Sequence, residues 1–129
     1  MSIKKILTKK APAPIGPYSQ AILVDEKTLY IAGQGPMDSA TGWIVEGGIK
    51  EQTRQVMKNI EAILIASGAS FASVVKTTVF LKDMNEFTAM NGVYAEFLGV
   101  ASPARSTIEA ARLPRDIRIE IDAIAVIEK

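Results

Sequence analysis

The sequence predicts a two-layer α+β sandwich: a mostly antiparallel sheet with two helices on one face. Three observations carry that expectation. Residues 117–127, IRIEIDAIAVI, alternate strictly, with Ile117, Ile119, Ile121, Ala123, Ala125 and Ile127 on one face and Arg118, Glu120, Asp122, Ile124 and Val126 on the other. Two windows, 48–67 and 83–99, repeat instead with a helical period. The order of elements is strands, helix, strand, helix, two strands, which sets helical stripes against one sheet face.

In chain order, Lys4–Leu7 reads as a short first strand. Residues 9–17 form a proline-rich connector with Pro12, Pro14 and Pro17, and proline favours extended, donor-poor backbone. Tyr18 follows it, as a loop anchor or a pocket wall. Ala21–Val24 and Leu29–Ala32 read as strands around an Asp25-Glu26-Lys27 turn. Gly33-Gln34-Gly35-Pro36 breaks the second of them, and glycine there permits close backbone approach. It is not a dinucleotide fingerprint, because the third glycine position is Asp38. Trp43–Glu46 reads as extended.

The first helix carries an apolar stripe of Val56, Met57, Ile60, Ile63 and Leu64, and Gly68 ends it. Ser73–Lys82, dense in β-branched residues and apolar on both faces near Val79 and Phe80, reads as a central strand. Asp83 and Glu86 are spaced as a capping box for the second helix. Its stripe is Phe87, Met90, Tyr94, Phe97 and Leu98, with Asn91 beside it as a solvated residue or a ligand contact.

Composition narrows the chemistry. The 129 residues form one domain, 1–129, with formal net charge +1, which does not suit a nucleic-acid or membrane surface built on bulk charge. There is no cysteine and no histidine, so thiolate, Ser-His and His-metal chemistry have no ligands or bases. Acid–base work falls to carboxylates, lysine, tyrosine, water or backbone. No apolar run has the length of a membrane span, and the basic N-terminus lacks the long apolar core of a secretory signal. A cytoplasmic protein is the default expectation, with an organellar one still open for a eukaryotic source.

Residues 103–126 hold the strongest candidate site. They read as two strands joined by a turn at Leu113-Pro114-Arg115-Asp116. Pairing them about that turn sets Arg105 opposite Ile124, Thr107 opposite Asp122 and Glu109 opposite Glu120, so that Arg105, Thr107 and Glu120 share a face. Two readings stand for that face. One is a solvated strand surface with a weak salt bridge. The other is a cation and a carboxylate that bind a small acid and act on it.

Several stretches together resemble the RidA (YjgF) family of reactive-intermediate deaminases. They are IGPYSQA (Ile15–Ala21), AGQGP (Ala32–Pro36), VVKTTVFLKDMNEF (Val74–Phe87), MNGVYAEF (Met90–Phe97) and PARSTIEAARLPRDIRIEIDAIAV (Pro103–Val126). The last, with its Pro-x-Arg-Ser, Leu-Pro and IEI-x-A-x-A elements, is the most specific. The resemblance implies a chorismate-mutase-like fold in a homotrimer, with the sheets lining a central barrel and pockets between subunits. It implies cofactor-independent hydrolysis of 2-imino acids such as 2-iminopropanoate and 2-iminobutanoate to 2-oxo acids and ammonia. Position by position, Arg105 matches the family's substrate-carboxylate arginine and Glu120 its catalytic glutamate. Thr107 stands where many members carry cysteine, Gly33 where the main chain lies against substrate, and Tyr18 and Asn91 line the pocket. Two departures bear on substrate size: Ala32 replaces a common serine, and the link from Phe97 to Pro103 is short. Two other functions fit the family: a non-catalytic module that binds small carboxylates, and an endoribonuclease or translation inhibitor. The lack of histidine and of a basic stretch disfavours the second.

Overall fold

A computed structural model describes residues 1–128. Its strands are β1 (Ile3–Ile6), β2 (Ala21–Val24), β3 (Thr28–Gln34), β4 (Val74–Leu81), β5 (Ala104–Glu109) and β6 (Ile119–Val126). The helices are α1 (Ile49–Ala66) and α2 (Phe87–Leu98). The strands form one sheet in the order β1-β2-β3-β6-β4-β5, so the architecture is the expected α+β sandwich. Among the described residues no helix is long and apolar enough to cross a membrane.

The alternation in β6 is the organising feature. Ile119, Ile121, Ala123 and Ala125 are buried against the helices, while Glu120, Asp122, Ile124 and Val126 are only partly covered. Val56, Met57, Ile60, Ile63 and Leu64 of α1 close over that face, each fully buried. Each contributes about 1.5–3 kcal/mol by leaving water. The opposite sheet face carries no helix, and Tyr30 and Ile108 stand exposed on it.

The expected hairpin of the last two strands does not form. β6 lies between β3 and β4 and pairs antiparallel with both, while β5 pairs in parallel with β4 at the sheet edge. The connection between β5 and β6 spans residues 110–118, too long for the tight loop that joins hairpin strands. A strand with so apolar a core face also gains more with a neighbour on each side than at an edge. The Pro114–Asp116 stretch is a 3-10 turn entering β6 rather than a hairpin turn, with Arg115 and Asp116 in the left-handed region. The parallel pairing of β4 with β5 follows from the helical crossover between them.

Smaller differences have local causes. β3 runs on through Gly33 to Gln34, with a register shift between Ile31 and Gln34 that absorbs the glycine as a bulge. Residues 43–46 give only an isolated bridge between Met37 and Ile44. The capping box at the second helix does not close: Asp83 caps a 3-10 turn by accepting from Asn85 N, while the Glu86 carboxylate pairs with Arg118 at 3.1 Å.

Candidate active site

Strand parity decides where the two candidate catalytic groups point. Arg105 is level with Thr77, and Thr77 with Ala123, so Arg105 lies on the helix-covered face. Glu120 is level with Phe80 on the uncovered face. The shared face expected for Arg105, Thr107 and Glu120 is therefore corrected: Arg105 and Thr107 lie on one side of the sheet and Glu120 on the other. The two are separated by about 10 Å across the sheet and about 10 Å along it. The expected Glu109–Glu120 opposition is absent too, since Glu109 is level with Leu81 and accepts a hydrogen bond from Met84 N at 2.8 Å.

Arg105 is held by α2. Its Nη1 donates to Asn91 Oδ1 at 2.8 Å. Its guanidinium carbon sits 4.7 Å from the centroid of the Tyr94 ring and 5.5 Å from that of Phe87. Phe87, Asn91 and Tyr94 fall at i, i+4 and i+7, which puts all three on the helix stripe above the arginine. The Tyr94 hydroxyl is itself fixed by Thr77 Oγ1 at 2.7 Å. Among the described residues Arg105 forms no ion pair. Asn91 occupies one of its five N–H groups, so most of the guanidinium fork remains for an anion. Two residues along, Thr107 Oγ1 is buried without a hydrogen-bond partner.

Glu120 has the opposite setting. It lies against Gly33 so closely that a β-carbon there would collide with Oε2 and come within 2.8 Å of Cδ. Gly33 is thus required for close approach rather than for an unusual φ. Burial pushes the Glu120 carboxyl above its ordinary value, and the Asp122 carboxylate adds to the rise. Gly33 and Tyr18 line a common cavity of about 340 Å³, bounded by the proline-rich segment on one side and residues 33–42 on the other. Tyr18 is half exposed, and its hydroxyl accepts from Ile15 N at 3.5 Å.

The predicted residues accordingly form two groups: Arg105, Asn91 and Thr107 on the helix side, and Glu120 with Gly33 on the other, Tyr18 sharing a cavity with Gly33. Phe87 and Tyr94 were read from the sequence as core stripe, yet they also bed the arginine. Their spacing around Asn91 was the available signal. Gly33→Ala is expected to fold while displacing the Glu120 carboxylate. A misplacement on the order of 1 Å costs about a hundredfold in rate, so turnover should fall steeply with little change in melting temperature. Steady-state kinetics beside a thermal melt checks both parts.

Residues 8–127 match the family model described as Endoribonuclease L-PSP, the RidA/YjgF group. The chain belongs to the RidA family. A RutC family protein of Pyrococcus horikoshii is 59% identical over 120 residues, covering 93% of this chain and 94% of that one. The Homo sapiens 2-iminobutanoate/2-iminopropanoate deaminase is 49% identical over 121 residues, covering 94% and 88%. The crystal structure of Escherichia coli TdcF with bound serine superposes with a TM-score of 0.91 at 38% identity, covering 97% and 99%.

Proposed function

We propose that this RidA-family chain hydrolyses 2-imino acids such as 2-iminopropanoate and 2-iminobutanoate to 2-oxo acids and ammonia, in a site built from two copies of the chain. The observation that carries this reading is Arg105. It is a partly buried guanidinium oriented by Asn91, Tyr94 and Phe87 and lacking an acid partner among the described residues. Such a group suits a ligand carboxylate held through two parallel hydrogen bonds. The mammalian relatives that carry the deaminase name, and the serine bound to TdcF, agree with an amino-acid-like ligand.

Arg105 of one copy holds the substrate carboxylate. Glu120 of a second copy, with Gly33 and Tyr18, supplies the other wall, since the two groups point away from each other within a chain. Water hydrogen-bonded to the Glu120 carboxylate adds to C2 of the imine. Glu120 takes the water's proton and passes it to the imine nitrogen, giving a carbinolamine; it then takes the hydroxyl proton and delivers it to the amine, so that C=O forms as the C–N bond breaks and ammonia leaves a 2-oxo acid. A carboxyl raised by burial and the neighbouring Asp122 carboxylate takes up a proton more readily than an ordinary one. The uncovered face, with Tyr30, Ile108 and Ile124, supplies apolar area for the contact between copies, and a homotrimer is the proposed assembly. Its site needs no cofactor, and a cytoplasmic location fits the substrate's origin in amino-acid metabolism.

Glu120 must be ionised to act as base. The acid limb of kcat/KM should therefore lie above the ordinary carboxylate value of about 4.3, with rate lost as pH falls through the raised value. The stability sign is the reverse. A carboxyl raised on folding contributes stability that is present below its unfolded value and lost as pH rises through its folded value. Glu120→Gln should remove that loss, which urea melts at paired pH values would show. The reading itself is tested by ammonia or 2-oxo acid release from imine generated in the cuvette by an amino-acid oxidase. Acceleration over the spontaneous rate is expected, and its absence in a folded oligomer would sink the assignment.

A further inference from the structure

We propose that Asn59 is a positioning residue for this reaction, holding the main chain of residues 33–37 in place against Glu120. The inference rests on the reading of Gly33 and Glu120 as one wall of the site. Asn59 lies in the middle of α1 and is only 1% exposed, among Val56, Met57, Ile60 and Ile63. A carboxamide in such surroundings is costly unless bonded, and asparagine is a mediocre helix former, so neither helix nor core explains it. Its hydrogen bonds do. Nδ2 donates to Gly35 O at 3.0 Å and to Met37 O at 2.9 Å, while Oδ1 accepts from Gln55 Nε2 at 2.9 Å.

Those two carbonyls lie just past the point where β3 leaves its ladder. The register slips between Ile31 and Gln34, and Gln34 opposite Ile121 is the last pair. Gly33 thus lies in the slipped stretch between the pairs at Ile31 and Gln34, and Asn59 anchors the main chain immediately beyond Gln34. The main chain packs closely here: a β-carbon at Gly35 would come within 2.9 Å of Met37 Cε and 3.0 Å of Ile117 Cδ1, and one at Gly33 would strike the Glu120 carboxylate. A shift of this main chain therefore changes the space in which the Glu120 carboxylate sits. The opposite wall uses the same device. Gln20, also 1% exposed, donates to Thr8 O at 3.0 Å and Pro12 O at 3.0 Å and accepts from Thr8 N at 2.8 Å, fixing the segment that leads to Tyr18.

Asn59→Leu removes both donors at nearly constant volume. Ile63→Val, one turn along the same buried face of α1, is the control for general destabilisation. Hydrogen exchange of the 33–37 amides and steady-state kinetics with 2-iminobutanoate are read for both variants and for the wild type, well below each melting temperature. In Asn59→Leu, exchange in 33–37 should rise about tenfold or more while the 119–126 amides keep their protection. kcat should fall about tenfold or more with KM within about threefold, because Arg105 still captures the carboxylate. Ile63→Val should move neither selectively. Unchanged kcat, or loosening spread over the whole chain, would overturn the proposal. If Asn59→Leu does not fold, Asn59→Ser is read in the same way. If the wild type does not turn over imine, the functional reading fails on its own. Exchange then decides for Asn59: loosening confined to 33–37 upholds the clamp, and any other pattern removes it.

Discussion

Arg105→Ala folds, assembles and loses turnover. The expected loss in kcat/KM is about 10²–10⁴-fold, matching the roughly 3–5 kcal/mol lost when one partner of a desolvated, hydrogen-bonded charge pair is removed. The fold should tolerate the change because Arg105 sits on edge strand β5 and its neighbours are not left with a buried unpaired charge. Stacking on Tyr94 and Phe87 contributes about 0.5–2 kcal/mol, partly offset by relief of desolvating the guanidinium. Arg105→Lys is nearly as damaging, since it keeps the charge and loses the two-pronged donor. Turnover measured beside circular dichroism separates the two effects. A variant that keeps wild-type kcat/KM would remove Arg105 from the site.

Glu120→Gln separates an enzyme from a binder. The amide fits the space against Gly33 but cannot take a proton from water. Loss of a positioned general base costs about 10²–10⁴-fold in kcat. Affinity for a 2-oxo acid, measured by calorimetry, should stay near the wild-type value because Arg105 is untouched. Retained turnover would contradict the assignment of Glu120. Lost affinity with retained turnover would make it a binding group instead. A module that only sensed carboxylates would show neither loss.

The sequence exposed the secondary structure more fully than the pairing. The alternation of β6, the stripes of α1 and α2, and the interior position of β4 are local patterns, and the structure shows them as expected. Which strand lies beside which is a non-local matter. A Leu-Pro-Arg-Asp sequence turns the chain equally well into a hairpin or into a crossover, and here β6 inserts between β3 and β4. That one difference moved Arg105 and Glu120 to opposite faces. Within each of the two groups the structure shows specific contacts. Asn91 does meet Arg105, and Tyr18 and Gly33 do share a cavity. Asn59 went unnoticed because the two carbonyls it holds lie 22 and 24 residues away, beyond any helical spacing.

The central claim is that Arg105 and Glu120 act on one substrate from different copies of the chain. Co-expression of Arg105→Ala and Glu120→Gln chains under two affinity tags, with purification through both, tests it most directly. Each variant alone is inactive. A trimer containing both kinds of chain has one interface of its three where an intact Arg105 meets an intact Glu120, so about one-third of wild-type activity should return. If the mixed oligomers stay as inactive as their parents, both groups serve from a single chain and the composite site is wrong.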